Sequence, residues 1–501
     1  MKINDIKNYF LSLGFILSVD GIFCGLLQTV FNIPLLSFIS FMPLMYGLIY
    51  AKSKRQFTIR FCSFFMPYYF VQLAFLITVY KLVPLQKFTA FLIMLACVLF
   101  LVMWESLLMF LPVCLIHWLK RNSFGDVFVL SFFICAGEWL QEHIFFLSFP
   151  WSAVWLTVTD MPILFQVSNL FGARAVSFVI LCMNGFAVAA IAEKKIPLKT
   201  LSLVSMVVIQ SVNLWYGYYS LKDCKRLSRE GERINVVCAQ DNAEGIEKEN
   251  LTPLETALSY REILSKVKTA DIILLPETSV PDDYDEKAEQ FHLVAKLAKE
   301  KNSTIVFGCF YNDGKEYNAM YAITPDGNLS QPYCKQILVP FGEKIPLAFL
   351  FDESTLSECT DRKLIMPLKT NKNIIGSTIC IESVYSDIVR KQTAQSAQLI
   401  CVSTNDSWFG KSFARQQHFR HSIMRAAENR KWLMRAGNCG ISALISPCGK
   451  VTVQKTDSSK GVVSGEISLI NQKSFYAENG DLFITVPALL AVAAILRRFR
   501  K

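Results

Sequence analysis

The chain has 501 residues, of which 52% are apolar and 18% charged, with a mean hydropathy of +0.34. Soluble domains carry about a quarter charged residues, so this balance excludes an ordinary soluble protein and points to a membrane, as does the abundance of Phe. The net charge of +10 does not read as a nucleic-acid footprint, because much of the surplus lies in short clusters between apolar runs, such as Lys52, Lys54 and Arg55, and in Arg497, Arg498, Arg500 and Lys501.

In chain order, seven apolar runs of bilayer-crossing length fill the first 220 residues, over 8–28, 33–51, 61–82, 88–118, 126–147, 167–192 and 199–219. No small-residue cleavage site separates the first run from the second, so it is expected to stay as a span rather than be removed as a signal peptide. An eighth run, Leu482–Leu496, follows a long polar stretch. Lys and Arg alternate between loops. Lys2 and Lys7, then Lys52, Lys54, Arg55 and Arg60, then Lys120 and Arg121, then Lys194, Lys195 and Lys199, and last the basic tail fall on one side. The positive-inside rule makes that side cytoplasmic. Both termini are therefore expected inside and residues 220–480 outside, provided that the long fourth run is one span.

The polar stretch reads as α/β. Short β-branched runs recur at Ile234–Cys238, Ile272–Leu275, Thr304–Cys309, Ile374–Ile379, Leu399–Ser403 and Ile441–Ile445. Helical patterns lie among them at Leu254–Lys266, Asp285–Glu300 and Gln416–Glu428. The expected domains are a seven-span membrane domain (1–222), an extracytoplasmic catalytic domain (223–478), and a C-terminal transmembrane helix with a basic tail (479–501). Six of the 15 cysteines fall in apolar runs and nine in the polar stretch, with no CxxC pair and no His at zinc-finger spacing. An odd number outside the cytoplasm leaves at least one thiol free.

Three segments of the polar stretch carry reactive groups. Asp271-Ile-Ile-Leu-Leu-Pro276 ends at Glu277, Ile374–Ile379 ends at Cys380, and Lys335 precedes Gln-Ile-Leu-Val-Pro-Phe-Gly-Glu343. Reactive side chains collect beyond the carboxyl ends of strands in α/β sheets, so two of the three are well placed. A free thiol ionises near pH 8.5; it needs a base to take its proton and a positive charge to hold the thiolate and the oxyanion. A carboxylate and a lysine supply both, and a cysteine opening a helix gains from the helix dipole. Taken singly, each residue also fits an ordinary role: a buried structural thiol, a turn carboxylate, a loop lysine. Sequence separation does not decide whether they meet.

Pro276-Glu277, Lys335 with Val339-Pro-Phe-Gly-Glu343, and Cys380-Ile-Glu382 resemble the carbon–nitrogen hydrolase (nitrilase) superfamily, whose triad is Glu, Lys and Cys. The chain is more closely similar to apolipoprotein N-acyltransferases, on Leu338–Glu343, Thr404-Asn-Asp-Ser-Trp-Phe-Gly410, Gln417-His-Phe419, Arg425-Ala426 and Gly440-Ile-Ser442. Glu138-Trp-Leu140 and Phe149-Pro-Trp151 resemble that family's fifth span and its outer loop. The resemblance implies a multi-pass helical membrane domain of about eight spans and an αββα nitrilase-like sandwich. Glu277, Lys335 and Cys380 would be catalytic. Glu343, Glu382, Gln240, Asn405 and Trp408 would bind substrate or support the site, with no metal and no cofactor.

What the resemblance further implies is transfer of an acyl chain from a phospholipid, phosphatidylethanolamine in the first place, through a Cys380 thioester to the amino terminus of a diacylglyceryl-cysteine apolipoprotein. The setting would be the bacterial inner membrane, with the catalytic domain on the periplasmic side, acting as a monomer and without nucleic acid. Three departures from the family pattern stand out: Ile381 where a Tyr is usual after the nucleophile, no Trp after Gln240-Asp-Asn242, and a basic Glu428-Asn-Arg-Lys-Trp432. Ile345–Phe351 is too short to span and is expected either as a lid dipping into lipid or as a core segment. Two other classes fit parts of the pattern. One is a membrane-anchored amidase with water as acceptor; the other is a transporter using Asp20, Glu105, Glu138 and Arg174 within the spans.

Overall fold

The computed structural model describes residues 13–81, 85–119, 123–144, 147–243, 250–340, 343, 365–457 and 459–489. The chain forms two compact units, one of Met1–Tyr219, Ser412–Gln417 and Asp481–Lys501, the other of Ser220–Lys411 and His418–Gly480.

The first unit is helical. Its principal helices are α1 (Leu13–Leu26), α2 (Met42–Ile49), α3 (Lys54–Leu73), α4 (Lys87–Val113), α5 (Ser123–His143) and α6 (Ala173–Ala192); α7 (Ile196–Glu230) begins here and ends in the second unit. Six helical segments among the described residues are long and apolar enough to cross a membrane. Large apolar side chains such as Phe88, Met103 and Leu107 on α4 face outward, as lipid contact requires.

Two features differ from the sequence expectations. The second apolar run is not one unbroken α-helix: Pro34–Leu36, Ser37–Ser40 and α2 follow one another with a break at Phe41, just before Pro43, which supplies no N–H to a continuous helix. Asn184 of α6 repairs that break, its amide donating to Ser37 O at 2.8 Å and accepting from Phe41 N at 3.0 Å. The third run begins earlier than its apolar stretch, since Ser53 caps α3 by accepting from Gln56 N; Lys54, Arg55 and Arg60 are helical rather than in a loop. The long fourth run forms one helix, α4, which ends in a turn at Cys114. Residues 482–489 are helical; the rest of the eighth run, the basic tail, Lys2, Lys7, Lys120 and Arg121 lie outside the described residues.

Two of the polar groups named within the spans, Glu138 and Arg174, tie segments together. Arg174 of α6 pairs with Glu142 of α5 and, at 3.1 Å, with Asp481. Trp139 donates to the same Asp481 at 3.0 Å. Glu138 accepts from Val154 N (2.8 Å) and Ser177 Oγ (3.0 Å), fixing the turn Val154–Val158 that follows the buried Phe149–Trp151 stack. For Glu138 and Arg174 this is the geometry of helix pairing, not of a polar pathway.

The second unit is an αββα sandwich. One sheet has the order β12-β1-β2-β3-β4-β5, the other β11-β10-β9-β8-β7-β6, with β6 (Leu368–Lys369), β11 (Val451–Lys455) and β12 (Gly461–Leu469) at edges. The strands that position the site are β1 (Glu232–Gln240), β2 (Ile272–Leu274), β3 (Thr304–Asn312), β4 (Glu316–Ile323) and β5 (Tyr333–Cys334) in the first sheet. In the second they are β7 (Ile374–Ile379), β8 (Leu399–Asn405), β9 (Leu433–Asn438) and β10 (Ser442–Ile445). β1, β2 and β3 run parallel, as do β7, β8 and β9, and the edges of both sheets are antiparallel. Helices α8 (Pro253–Ser265) and α9 (Glu289–Lys301) cover the first sheet, burying Tyr260, Leu264, Phe291 and Leu297 against Val237, Ile273 and Phe307. Parallel strands buried on both faces need such near-continuous apolar runs, which is why β2 and β7 were legible in the sequence. Ser403 Oγ donates to Leu275 O at 2.7 Å, joining the inner faces.

Candidate active site

Glu277 sits in the turn after β2, with only 6% of its surface exposed. That turn packs against β3 so closely that a Cβ at Gly308 would lie 2.6 Å from Thr278 N, so only glycine fits there. One carboxylate oxygen, Oε1, accepts from Lys335 Nζ and from Asn318 Nδ2 of β4, both at 2.9 Å. The other, Oε2, accepts from Asn405 N at the end of β8 at 3.0 Å. Lys335 follows β5 and is 1% exposed; its ammonium also bonds Glu343 Oε1 at 2.7 Å. Burial alone would push this ammonium down, but Glu277 and Glu343 together hold it well up, so it stays charged.

Cys380 ends β7 and is 6% exposed. Its φ of 52° lies in the left-handed region, a conformation costing about 1–2 kcal/mol for a residue with a Cβ. The surroundings hold it there. Ser383 Oγ donates to Cys380 O at 3.0 Å, and His418 Nε2 lies 3.0 Å from the same carbonyl. Burial pushes the Cys380 thiol well up, Glu277 pushes it further, and Lys335 pulls it down, with burial the strongest influence. The resting thiol is therefore neutral, within electrostatic reach of a carboxylate and of an ammonium. The helix expected at Cys380 is a single 3₁₀ turn, Cys380–Val384, and the α-helix α10 (Ser386–Ala394) starts only at Ser386. A helix dipole thus adds little at the sulfur, and the work falls to Lys335.

Glu382 is fully buried and makes no bond to Lys335 itself. Its carboxylate accepts from Ile379 N (2.8 Å), Ile337 N (3.3 Å), Tyr333 Oη (2.8 Å) and Gln336 N. It thereby binds the segment carrying Lys335 to the turn carrying Cys380. Gln240 bonds Ser442 Oγ and the carbonyls of Asp457 and Ser459, an anchor for β1 and β10 rather than a partner of the triad. Asn405 contributes its backbone N–H, while its side chain takes Ser407 N and Asn438 Nδ2. Trp408 is 46% exposed, on the turn Asp406–Phe409. Residues 345–351, the expected lid or core segment, lie outside the described residues.

Sequence reasoning missed the support behind the nucleophile. Asp406 is fully buried and pairs with His418 Nδ1 and Arg435 Nη2, both at 2.9 Å, while Thr404 Oγ1 donates to it at 3.0 Å. Burial opposes its charge, but Arg435 and His418 win and hold its carboxyl far below the usual carboxylate range. Gly440 leaves room for it, since a Cβ there would lie 2.2 Å from Asp406 Oδ2. Asn318 was also unmarked. The one available signal was the Asp inside Thr404–Gly410, which the sequence presents without a partner.

The αββα sandwich agrees with a carbon–nitrogen hydrolase domain. The carbon–nitrogen hydrolase family matches residues 248–474, and the apolipoprotein N-acyltransferase N-terminal domain matches residues 20–186. The apolipoprotein N-acyltransferase of Pseudomonas syringae pv. tomato is 31% identical over 72% of both chains. That of Pseudomonas putida is 30% identical over 81% of this chain and 83% of its own, and that of Geobacter metallireducens 27% identical over 78% and 79%. The chain belongs to the apolipoprotein N-acyltransferase family. It is a bacterial multi-pass membrane acyltransferase with a nitrilase-like domain.

Proposed function

We propose that the protein moves an acyl chain from a phospholipid to the amino-terminal amine of a diacylglyceryl-cysteine apolipoprotein through a thioester on Cys380. The observation that carries this reading is the ion-paired set of Glu277, Lys335 and Glu343, the first two buried, beside a neutral buried thiol. As Cys380 attacks an ester carbonyl of the phospholipid, Glu277 takes the thiol proton and Lys335 offsets the charge on the carbonyl oxygen. The lysophospholipid alkoxide leaves with the proton from Glu277, and the acyl group remains as thioester. The acceptor amine then attacks the thioester carbonyl, Glu277 takes its proton, and the thiolate leaves and is reprotonated. Phosphatidylethanolamine is the favoured donor.

Both substrates carry chains whose exposure to water costs about 0.8 kcal/mol per CH₂, so they stay in the bilayer, and the site must work beside it. The Lys and Arg pattern supports placing the catalytic unit on the periplasmic side of the inner membrane, with the chain acting as a monomer and with domain limits near residues 222 and 478. Mass spectrometry of the purified protein after incubation with phosphatidylethanolamine should show an acyl adduct on Cys380 that a diacylated lipopeptide discharges as amide. Release of free fatty acid without need of the lipopeptide would instead favour a hydrolase.

A further inference from the structure

We propose that His418 is a positioning residue for Cys380: held by Asp406 and Arg435, it grips the Cys380 carbonyl together with Ser383 and so sets where the thiol stands. This rests on Cys380 being the nucleophile, as in the function proposed above. His418, in the second unit, lies on α11 (Ala414–Asn429). Its Nδ1 is 2.9 Å from Asp406 Oδ1 and 3.1 Å from Arg435 Nη2, and its Nε2 is 3.0 Å from both Cys380 O and Ser383 Oγ. Arg435 is itself held by Ile441 O (3.2 Å) and Ser422 Oγ (3.0 Å), and Thr404 Oγ1 fixes Asp406 from the end of β8. Asp406, His418, Ser383 and Arg435 are all fully buried.

The order carboxylate, imidazole, hydroxyl is the one that activates a serine nucleophile in other enzymes. Here it ends differently. Ser383 has no surface exposed, and its hydroxyl donates to Cys380 O at 3.0 Å, so no acyl donor reaches it. The chain of bonds therefore ends on a backbone carbonyl, and what it holds is the peptide that carries the nucleophile.

That hold bears on reactivity. Cys380 sits at a φ of 52°, a conformation that persists for a residue with a Cβ only where the surroundings fix it. Two partners on Cys380 O fix the plane of the peptide that follows, which leaves the Cα–Cβ bond of Cys380 one direction. The thiol has to stay within reach of Glu277 and Lys335, and an error of about 1 Å in such a placement slows a reaction about 10²-fold. The buried Asp406 fits the same purpose. Tied to Arg435, Thr404 and His418 at once, it stops the imidazole from turning away from the carbonyl.

The test compares His418→Gln, whose amide is long enough to meet Cys380 O, with His418→Asn, whose amide meets Asp406 but falls short of that carbonyl. Full-length protein in detergent is treated with iodoacetamide, and alkylation of Cys380 is timed by peptide mass spectrometry. Acylation of Cys380 by phosphatidylethanolamine is timed over a range of donor concentrations. His418→Asn should slow both reactions about 10²-fold with the half-saturating donor concentration unchanged, while His418→Gln should stay within about tenfold of wild type. Ser383→Ala, the mildest change, should slow alkylation several-fold at an unchanged melting temperature, and it decides the matter where a His418 variant does not fold. Equal rates for the two folded His418 variants, a loss confined to half-saturation, or alkylation of Ser383→Ala at the wild-type rate would overturn the proposal. A wild type that is alkylated at Cys380 but takes no acyl group sinks the transferase reading alone, and the alkylation rates still decide the role of His418.

Discussion

In the helical unit the buried Arg174 divides its guanidinium between Glu142 and Asp481 and so fastens one chain segment to another. In the α/β unit the buried Lys335 divides its ammonium between Glu277 and Glu343, but both partners are themselves held by backbone N–H groups, and the charges of Lys335 and Glu277 act on the Cys380 thiol. The same set of one cation and two carboxylates fastens helical segments in the first case; in the second it adjoins Cys380, in a strained turn, where the proposed function uses it for chemistry.

That comparison can be broken by substitution. Cys380→Ala should cost the largest factor, about 10⁴-fold or more in acyl transfer, with the melting temperature unchanged. Lys335→Met leaves the buried Glu277 and the half-buried Glu343 without a cation, so it should both abolish transfer and destabilise by about 3–5 kcal/mol, seen in transfer assays and thermal melts. Arg174→Met should produce a comparable thermal loss but, in protein that remains folded, should leave the Cys380 acylation rate within a few-fold of wild type. A selective loss of acylation there would erase the distinction between the two clusters.

Asp406→Asn should destabilise by about 2 kcal/mol, since it weakens charge-assisted bonds to His418 and Arg435. The pH dependence has a definite sign. Asp406 titrates far lower when folded than its unfolded value of about 3.9, so its contribution is complete above that value and is lost as pH falls below it. Acid unfolding of the wild type should therefore steepen below about pH 4, and the Asp406→Asn curve should be flatter there. The smallest effect belongs to Trp408→Ala: its exposed ring should change stability by no more than about 0.5 kcal/mol, and any loss should be in KM.

The sequence made the ends of β2 and β7 readable because β-branched runs stop at Glu277 and Cys380, and the blocks around them carried the family. Strand pairing was not readable: β4, β5 and β9 belong to sheets whose order is set by contacts far apart in the chain. Nor was Asn318, an unremarkable strand residue until β4 and β5 bring it to Glu277. The break in the second apolar run was visible only as Pro43; that Asn184, far along the chain, repairs it could not be inferred from local pattern. Glu382 was marked by its place after Cys380, yet its role is to gather the backbone N–H groups of Ile379, Gln336 and Ile337, which no spacing reveals.

The central claim is that the Cys380 thiol, within electrostatic reach of Glu277 and Lys335, carries the acyl group. Intact-mass and peptide analysis of wild type, Cys380→Ala and Glu277→Gln after incubation with phosphatidylethanolamine tests it most directly. The account predicts one fatty-acyl mass on the Cys380 peptide of the wild type, removed by diacylated lipopeptide. It predicts none in Cys380→Ala, and accumulation about 10²-fold slower or more in Glu277→Gln. Acyl transfer by Cys380→Ala at the wild-type rate, or an acyl group on another residue, would contradict it.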